Sequence, residues 1–258
     1  MTISAQKDLG AKHLLVLAGL LALSLSYLAW PGRTVRAEET LRINTGVTAP
    51  YVTEDGQGFL DLVIQEVFRR QGIKARINSY AGASARSLQM SNSGTDDGEA
   101  LRIAGINQKF PNLVQVPESI LENHFVAYST RHKVPTQSWD DLKPFSVAYI
   151  IGWQIFQRNV KDTKDIVTVR NPEQMFQMLN LERVDIALYE KWQGLALVRK
   201  MGIKVHVLDP PLVKMKMFMY LHKKHQGMVG PTAAALKAMK DDGAYQQIFD
   251  SKLTTLLN

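Results

Sequence analysis

The sequence predicts an α/β fold built from two parallel sheets. Short runs rich in β-branched residues alternate along the chain with segments whose apolar residues recur at helical spacing, and this alternation is typical of parallel strands joined by right-handed helical crossovers. Proline-containing stretches at 132–135 and 209–211 interrupt the alternation, and proline resists the interior of both helices and sheets. We therefore expect the chain to pass between two lobes at these stretches.

The first part of the mature chain predicts three strands separated by two helices, and then a fourth strand. At 41–45 every second residue points one way, as in a half-buried strand. Apolar residues from Phe59 to Val67 then recur at helical spacing, and this helix is expected to end before Gly72. The elements that follow are a strand at 75–79, a helix at 84–90 and strands at 101–104 and 125–129.

The second part repeats the pattern, and Asn171-Pro172-Glu173 opens one of its helices. The chain then returns through a strand and two helices after the second interruption. The predicted elements are a strand at 146–150, a helix from 153, a strand at 166–169, a helix from 171, a strand at 184–188, a helix at 191–201, strands at 205–208 and 217–221, and helices at 232–239 and 244–251.

The N-terminal segment has the layout of a secretory signal. Lys7 and Lys12 precede an apolar run at 14–30, and Val35-Arg36-Ala37 supplies small residues at the two key positions of a cleavage site. We expect cleavage after Ala37 and export to the periplasm. The alternative is an uncleaved membrane anchor, because the apolar run is just long enough to approach the ~30 Å hydrocarbon core of a bilayer.

Composition excludes several function classes. Removing 37 of the 258 residues leaves 221, enough for one large domain or two small lobes. The leader carries three of the seven net positive charges, so the mature chain is only mildly basic and no nucleic-acid partner is expected. The absence of cysteine excludes disulfides, thiolate metal sites and a cysteine nucleophile. Fingerprint motifs for dinucleotides, phosphates and zinc are also missing, so no cofactor is expected.

A series of short motifs, by its order and spacing, carries a resemblance to a known family. The motifs are Gly58-Phe59-Leu60-Asp61-Leu62, Asp97-Gly98, Trp139-Asp140-Asp141-Leu142-Lys143, Arg183-Val184-Asp185-Ile186-Ala187 and Met239-Lys240-Asp241-Asp242-Gly243-Ala244-Tyr245. Across nearly the whole mature chain, the sequence resembles the extracytoplasmic solute-binding proteins of family 3, the amino-acid-type receptors of ABC importers, and within them a divergent branch.

That resemblance implies two Rossmann-like lobes joined by a two-strand hinge, the type II periplasmic binding protein fold. Lobe 1 would comprise residues 38–131 and 214–258, and lobe 2 would comprise 132–213, after a signal peptide at 1–37. The ligand would lie in the cleft between the lobes, beyond the carboxyl ends of the strands, and hinge motion would close the lobes around it.

Two departures from the family pattern concern the ligand. Family members carry a Thr-x-x-x-Arg stretch after the third strand, whose arginine binds the ligand's α-carboxylate, but this chain has Ile106-Asn107-Gln108-Lys109-Phe110-Pro111 there. The aspartate that commonly binds the α-amino group is replaced by Tyr189-Glu190. The expected ligand is a small polar molecule, anionic or zwitterionic, whose identity stays open.

Four candidate ligand-binding residues lie in lobe 1. Arg102 has a planar guanidinium suited to a carboxylate or phosphate, and Glu99 is either its salt-bridge partner at a strand end or a second polar group of the site. Arg86 begins a helix, where a cation and free N–H groups favour an anion, or it is a solvated surface residue. Tyr51 follows Pro50 in the loop where family members present an aromatic ring to the ligand.

Four more candidates lie in lobe 2. Trp153 and Gln154 open a helix whose free N–H groups suit a polar group, and Trp153 supplies either a flat apolar wall or packing between helix and sheet. Tyr189 and Glu190 lie at the exit of the strand at 184–188, on the ligand side. Glu190 either accepts a hydrogen bond from a ligand ammonium or favourably starts the next helix.

Two clusters suggest metal binding and are interpreted otherwise. Lysines separate His222 from His225, and no carboxylate or third histidine is near in sequence, so we expect a solvated basic turn rather than a metal site. Met215, Met217 and Met219 alternate as in a strand and are expected to pack in the core.

The primary hypothesis is a monomeric periplasmic protein, not an enzyme, that captures an amino-acid-like molecule for an ABC importer and delivers it to an ABC permease. A receptor of the same fold, signalling to a membrane sensor, is the alternative. The third class is an enzyme resembling cyclohexadienyl dehydratases, with Glu99 and Glu190 as candidates for proton transfer.

Overall fold

The structure is a computed structural model that describes residues 40–257, in which nine strands alternate with α-helices. The predicted signal peptide and its cleavage site lie outside the described residues. The strands are β1 (Leu41–Thr45), β2 (Ala75–Ser79), β3 (Gly98–Arg102), β4 (Leu113–Ser129), β5 (Ser146–Ile150), β6 (Asp165–Val169), β7 (Ile186–Glu190), β8 (His206–Val207) and β9 (Val213–His222). The α-helices are α1 (Phe59–Arg69), α2 (Ser84–Asn92), α3 (Gln154–Asn159), α4 (Pro172–Asn180), α5 (Lys191–Met201), α6 (Val229–Asp241) and α7 (Ala244–Lys252).

The strands form two parallel halves joined by a long antiparallel pair. The strand order is β2-β1-β3-β9-β4-β7-β5-β6, with β8 paired to β4. We call β2-β1-β3 the first half and β7-β5-β6 the second half, because the strands are parallel within each. The α/β class predicted from the sequence is confirmed. The two halves are hydrogen-bonded into one continuous sheet, however, rather than the two separate sheets that were predicted.

Strands β4 and β9 connect the halves because β9 pairs with the first half, β4 pairs with the second half, and the two pair with each other. They run antiparallel to each other from the Leu113–His222 pair to the Phe125–Val213 pair. The far end of β9 pairs with β3, and the far end of β4 pairs with β7, where Phe125 lies opposite Glu190. Two backbone segments therefore carry the whole connection within the sheet, as a hinge between two lobes requires.

The helices bury apolar faces on both sides of the sheet. In α1, apolar residues at helical spacing form one face, and six of them are buried. A large core cluster extends through both halves, and a smaller one fills the second half around Phe125, Phe156 and Leu188. Met217 and Met219 are buried in the large cluster and Met215 packs against it, as predicted. Among the described residues, no helix combines the length and apolarity needed to cross a bilayer.

The loop before α1 is held tightly against the start of that helix. The N–H groups of Phe59 and Leu60 donate to the carbonyl oxygens of Pro50 and Tyr51, at 3.0 and 2.8 Å. Gly58 approaches this loop so closely that a Cβ atom on it would lie 2.4 Å from the Tyr51 carbonyl oxygen. These contacts fix the position from which the Tyr51 side chain projects.

A β-bulge ends β3. Between Glu99 and Arg102, β3 has one residue more than β9, which pairs Tyr220 and Phe218 with them. Leu101 takes up the extra residue with a φ of 57°, which is costly for a residue with a Cβ, while its side chain stays buried. The bulge turns the Arg102 side chain back toward Glu99.

Six strands differ from their predicted bounds: β6 and β8 by a single residue at one or both ends, β9 by starting at 213 rather than at 217, and β3, β7 and β4 as follows. Strand β3 begins at Gly98 rather than at 101, and β7 covers 186–190 rather than 184–188. Strand β4 begins at Leu113 rather than at 125. The charged residues and the proline around Pro117 are typical of a loop, so the sequence did not predict a strand there. In the structure, register shifts between β4 and β9 allow this stretch to stay within the strand.

We predict that Gly58→Ala lowers the free energy of unfolding by about 1–3 kcal/mol, because its new methyl group would press on backbone atoms of Tyr51 that cannot easily move. Urea denaturation measures the effect. Gly227→Ala is the matched control, since a Cβ there meets nothing within 4 Å. Equal stability of the two variants would contradict the close approach.

Candidate functional site

Glu190 lies at the carboxyl end of β7 and caps the N-terminus of α5. Its Oε2 accepts a hydrogen bond from the backbone N–H of Gln193 at 2.9 Å, which satisfies one of the free donors at the helix start. The residue is 1% exposed. A carboxylate at this position is thus both a helix cap and a buried charge at the edge where parallel strands present their loops.

The second oxygen of Glu190 connects the two halves of the sheet. Tyr51, in the loop between β1 and α1, donates its hydroxyl to Glu190 Oε1 at 2.9 Å, and Asn123 Oδ1 on β4 lies 3.5 Å from the same hydroxyl. Tyr51 is fully buried and its ring meets Phe59 edge-on at 6.1 Å. A further polar contact, Gln193 Nε2 to Thr48 Oγ1 at 3.3 Å, joins the same two segments.

The electrostatics of Glu190 follow from burial without a bound cation. Desolvation raises its pKa to about 7, although hydrogen bonds from the N–H groups of Gln193 and Trp192 and from Tyr51 oppose the shift. The charge of Lys191 is a smaller opposing effect, and its Nζ lies 4.9 Å from the centre of the Trp192 ring. Burial and the nearby carboxylate raise the pKa of Tyr51 well above its usual 10.0, so the phenol remains a donor.

Tyr128 supports the backbone at this junction without touching the carboxylate group. Its hydroxyl donates to the carbonyl oxygen of Lys191 at 2.5 Å. Gly194 on α5 packs directly on the Tyr128 ring, where a Cβ atom would lie 2.2 Å from the hydroxyl oxygen. The close approach holds the start of α5, and so Glu190, against β4.

Arg102 and Glu99 form a second buried charged group, in the first half. Arg102 Nε donates to Glu99 Oε1 at 2.7 Å and Nη2 donates to the same oxygen. Ser87 and Ser91 on α2 donate to Glu99 at 2.7 and 3.0 Å. The Glu99 side chain is fully buried, and the Arg102 side chain keeps 17% exposure. The salt-bridge alternative for Arg102 is therefore present in the structure.

The hydrogen bonds of Arg102 and Glu190 belong to separate networks. The remaining contact of the guanidinium is to the carbonyl oxygen of Ser84 at 3.3 Å, whereas Glu190 bonds to Tyr51 and Gln193. Desolvation raises the pKa of Glu99, and the charge of Arg102 opposes that shift. Each half of the sheet thus has a buried glutamate on a strand, Glu99 near the start of β3 and Glu190 at the end of β7, and of these two carboxylates only Glu99 has a cation bonded to it.

The aromatic candidates of the second half pack together. The Trp153 ring stacks on Phe156 with centroids 5.6 Å apart and lies 4.8 Å from the Tyr189 ring. Tyr189 is buried, and desolvation raises the pKa of its hydroxyl. Trp153 therefore packs between helix and sheet, which was one of its two predicted roles. Because it is only partly buried, one part of its ring stays open to a ligand.

The two remaining candidates are exposed. Gln154 is the first residue of α3, and its side-chain amide donates to Gln157 Oε1 at 2.8 Å. The Arg86 guanidinium lies 5.9 Å from the centre of the Tyr80 ring. Neither side chain contacts Glu190 or Arg102 in the described part of the chain.

The prediction of a solvated basic turn at the two histidines is wrong. His225 Nε2 lies 2.7 Å from Asp97 Oδ1, and Lys224 Nζ lies 2.8 Å from the same oxygen. His222 is buried against Gly94. The segment fastens the end of β9 to the loop before β3. Within residues 40–257, no group of three or more His, Asp or Glu side chains could hold a metal ion.

Sequence reasoning missed three residues of the Glu190 network: Asn123, Gln193 and Thr48. Asn123 is buried in the middle of β4. Its neighbours Glu122 and His124 are polar, so the sequence around it predicted a loop rather than a strand. Its polarity within a strand was the one available signal, because its contact with Tyr51 spans 72 residues.

A surface groove of about 620 Å³ lies elsewhere, around β8. Its lining includes Lys133, Pro135, Leu195, Leu208 and Leu257. No predicted site residue lines it, so we place the candidate site at the Glu190 network, which joins the two halves of the sheet.

Sequence comparison finds a distant relative. No protein-family profile matches the chain. An uncharacterized protein of Shewanella oneidensis is 25% identical over 170 residues, which cover 63% of this chain and 64% of the relative. The chain thus covers just under two thirds of that relative.

Structural comparison is more informative. The ligand-binding core of GluR0 from Nostoc punctiforme, in complex with L-glutamate, has a TM-score of 0.63 at 18% identity, covering 82% of this chain and 98% of that one. A substrate-binding protein of an amino acid ABC transporter scores 0.61 at 16% identity, with coverages of 83% and 99%. A histidine kinase sensor domain similar to periplasmic binding proteins scores 0.65 at 13% identity, with coverages of 84% and 96%. The chain has the fold of these binding proteins, with two Rossmann-like lobes joined by a two-strand hinge.

We predict that Glu190→Gln flattens the dependence of stability on pH. The pKa of Glu190 is about 7 in the folded state and about 4.5 when unfolded. Protonation of Glu190 therefore adds its full contribution to the free energy of unfolding below pH 4.5, and this contribution is lost as the pH rises through 7. The wild type should lose at most about 3 kcal/mol of unfolding free energy over this range. Urea denaturation at about pH 5 and pH 8 measures it. Glu54→Gln, at an exposed site, should show the same dependence of unfolding free energy on pH as the wild type. If Glu190→Gln also showed the wild-type dependence, Glu190 would not be the group responsible.

We predict that Arg102→Met destabilises the protein by about 3 kcal/mol near neutral pH, because it leaves Glu99 buried without its cation. The loss should shrink at low pH, where Glu99 accepts a proton. Chemical denaturation at acidic and neutral pH tests both points. Arg86→Met, at an exposed position, is the control, and a loss in Arg102→Met no larger than in this control would contradict a structural role.

Proposed function

We propose that this chain is an extracytoplasmic solute-binding protein of family 3 that captures a small, amino-acid-like molecule between its two lobes. The observation that carries the proposal is Glu190, a buried carboxylate at the carboxyl end of β7 with neutral hydrogen-bond donors and no bonded cation. Ligands of open α/β sheets bind at such strand ends.

The chemistry of Glu190 suits the amino group of a ligand. A buried carboxylate is stabilised either by a proton or by a cation, and a raised pKa shows how strongly it needs one. A ligand ammonium placed beside Glu190 would neutralise the charge through charge-assisted hydrogen bonds. The carboxylate would then serve the role that the sequence resemblance gives to the family's aspartate.

The opposite end of the ligand is assigned to Arg102. Glu99 holds one edge of the guanidinium, and the 17% of the side chain that stays exposed is available to a carboxylate. Tyr189 and the open part of Trp153 would contact the ligand's apolar portion. Arg86 and Gln154, both exposed, would lie at the rim.

Transport and sensing are the two roles such binding could serve. The signal-like segment at 1–37 supports export, and the likeness to a substrate-binding protein of an amino acid ABC transporter supports delivery to an ABC permease. The histidine kinase sensor domain of the same fold supports the second candidate, a receptor that signals to a membrane partner. In both roles the closed, loaded form is what the partner recognises.

We predict that the exported protein binds at least one member of a panel of amino acids and small organic acids in isothermal titration calorimetry. Glu190→Gln should weaken that binding about 30-fold or more, because it removes a buried charged partner. Glu54→Gln, at an exposed site, should bind like the wild type. Silence across the panel from folded protein would refute the proposal, and turnover of prephenate or arogenate would assign the site to an enzyme instead.

A further inference from the structure

Two hydrogen-bond acceptors converge on one hydroxyl at the junction of the halves. Glu190 Oε1 and Asn123 Oδ1 lie 2.9 and 3.5 Å from the Tyr51 hydroxyl oxygen. A phenol has one proton and can donate to one acceptor at a time. The distances show that Glu190 receives it, which leaves Asn123 Oδ1 at the outer limit of a hydrogen bond.

These three groups come from three separate elements. Glu190 ends β7, Asn123 lies within β4 opposite Met215 of β9, and Tyr51 follows β1. Asn123 is 5% exposed and the other two are more deeply buried. The point at which they meet is therefore buried, with two acceptors and a single proton between them.

We infer that the Tyr51 hydroxyl occupies the position of a ligand's primary ammonium group, and that the ligand takes its place between Glu190 and Asn123. The inference rests on the proposed function and specifies the chemistry of its site. It adds Asn123 as a binding residue and makes Tyr51 a competitor of the ligand.

The chemistry favours the exchange. A primary ammonium carries three N–H donors, so it can bond to both acceptors at once, and it brings the positive charge that Glu190 lacks. The other titratable groups that face the carboxylate are Lys191, at a distance, and the buried phenols of Tyr128 and Tyr189. A quaternary ammonium has no N–H and should be rejected.

The exchange also couples binding to the arrangement of the halves. While Tyr51 bonds to Glu190, the loop before α1 is tied to the start of α5 across the sheet. This contact favours the closed arrangement in the protein without ligand. Removing the hydroxyl should open the ligand-free protein and, at the same time, vacate the acceptors for the ligand.

The first experiment needs no ligand. Small-angle X-ray scattering compares the full chain with Tyr51→Phe and with Tyr128→Phe, which also removes a buried hydroxyl, one that bonds to the backbone carbonyl oxygens of Glu190 and Lys191 but not to the carboxylate. Tyr51→Phe should show a larger radius of gyration than the wild type, and Tyr128→Phe should not. Equal radii for all three proteins would overturn the inference.

The second experiment uses ethylammonium as the probe and tetramethylammonium as its control. At about pH 9, where Glu190 is ionised and a primary amine is still largely charged, NMR of ¹³C-labelled glutamate and ¹⁵N-labelled asparagine side chains should show saturable shifts with ethylammonium alone. Tyr51→Phe should bind the probe several-fold more tightly and Asn123→Ala several-fold more weakly. Unchanged affinity in both variants, or equal shifts from both ions, would overturn the inference.

The outcomes separate this inference from the proposed function. If a solute binds in calorimetry while the Glu190 and Asn123 side-chain resonances stay unchanged, the protein is a binding protein but Tyr51 is no competitor, and the inference fails alone. If no solute binds but ethylammonium exchanges with Tyr51, the proposed function fails while the ammonium position stands.

Discussion

The structure depends on one buried carboxylate that has no cation bonded to it. Hydrogen bonds from the N-terminus of α5 and from the Tyr51 hydroxyl offset part of the cost of burying Glu190. These two partners come from opposite halves of the sheet. Burial keeps the pKa of Glu190 near neutrality rather than near that of an exposed carboxylate. In the proposed function, the same hydrogen bond between Tyr51 and Glu190 contributes to stability, to the closure of the halves and to the chemistry available to a ligand.

The Glu99 and Arg102 pair shows what the protein does when a buried carboxylate has a structural role. Two serines and a guanidinium satisfy Glu99 completely within the first half, and the β-bulge at Leu101 directs the arginine to it. Glu190, in contrast, receives neutral donors and spans the halves. That difference in partners, more than the burial the two share, is why we propose Glu190 as the ligand-binding carboxylate.

The sequence predicted the elements whose signals are local. The strands at 41–45, 75–79 and 146–150 and the helix at 191–201 have the predicted bounds, because alternation, helical spacing and turn residues act over a few positions. Bounds set by distant partners were missed, as in β4, whose first part is fixed by β9. Glu190 could be found from its place after a strand, but its contact with Tyr51 joins residues 139 positions apart, and no pattern in the chain encodes it.

A crystal structure of the protein with its bound solute would test the central claim most directly. The account predicts a ligand nitrogen within hydrogen-bond distance of Glu190 Oε1 and Asn123 Oδ1, with the Tyr51 hydroxyl displaced from the carboxylate. A bound solute that leaves the Tyr51 and Glu190 hydrogen bond intact, and contacts neither Glu190 nor Asn123, would contradict it.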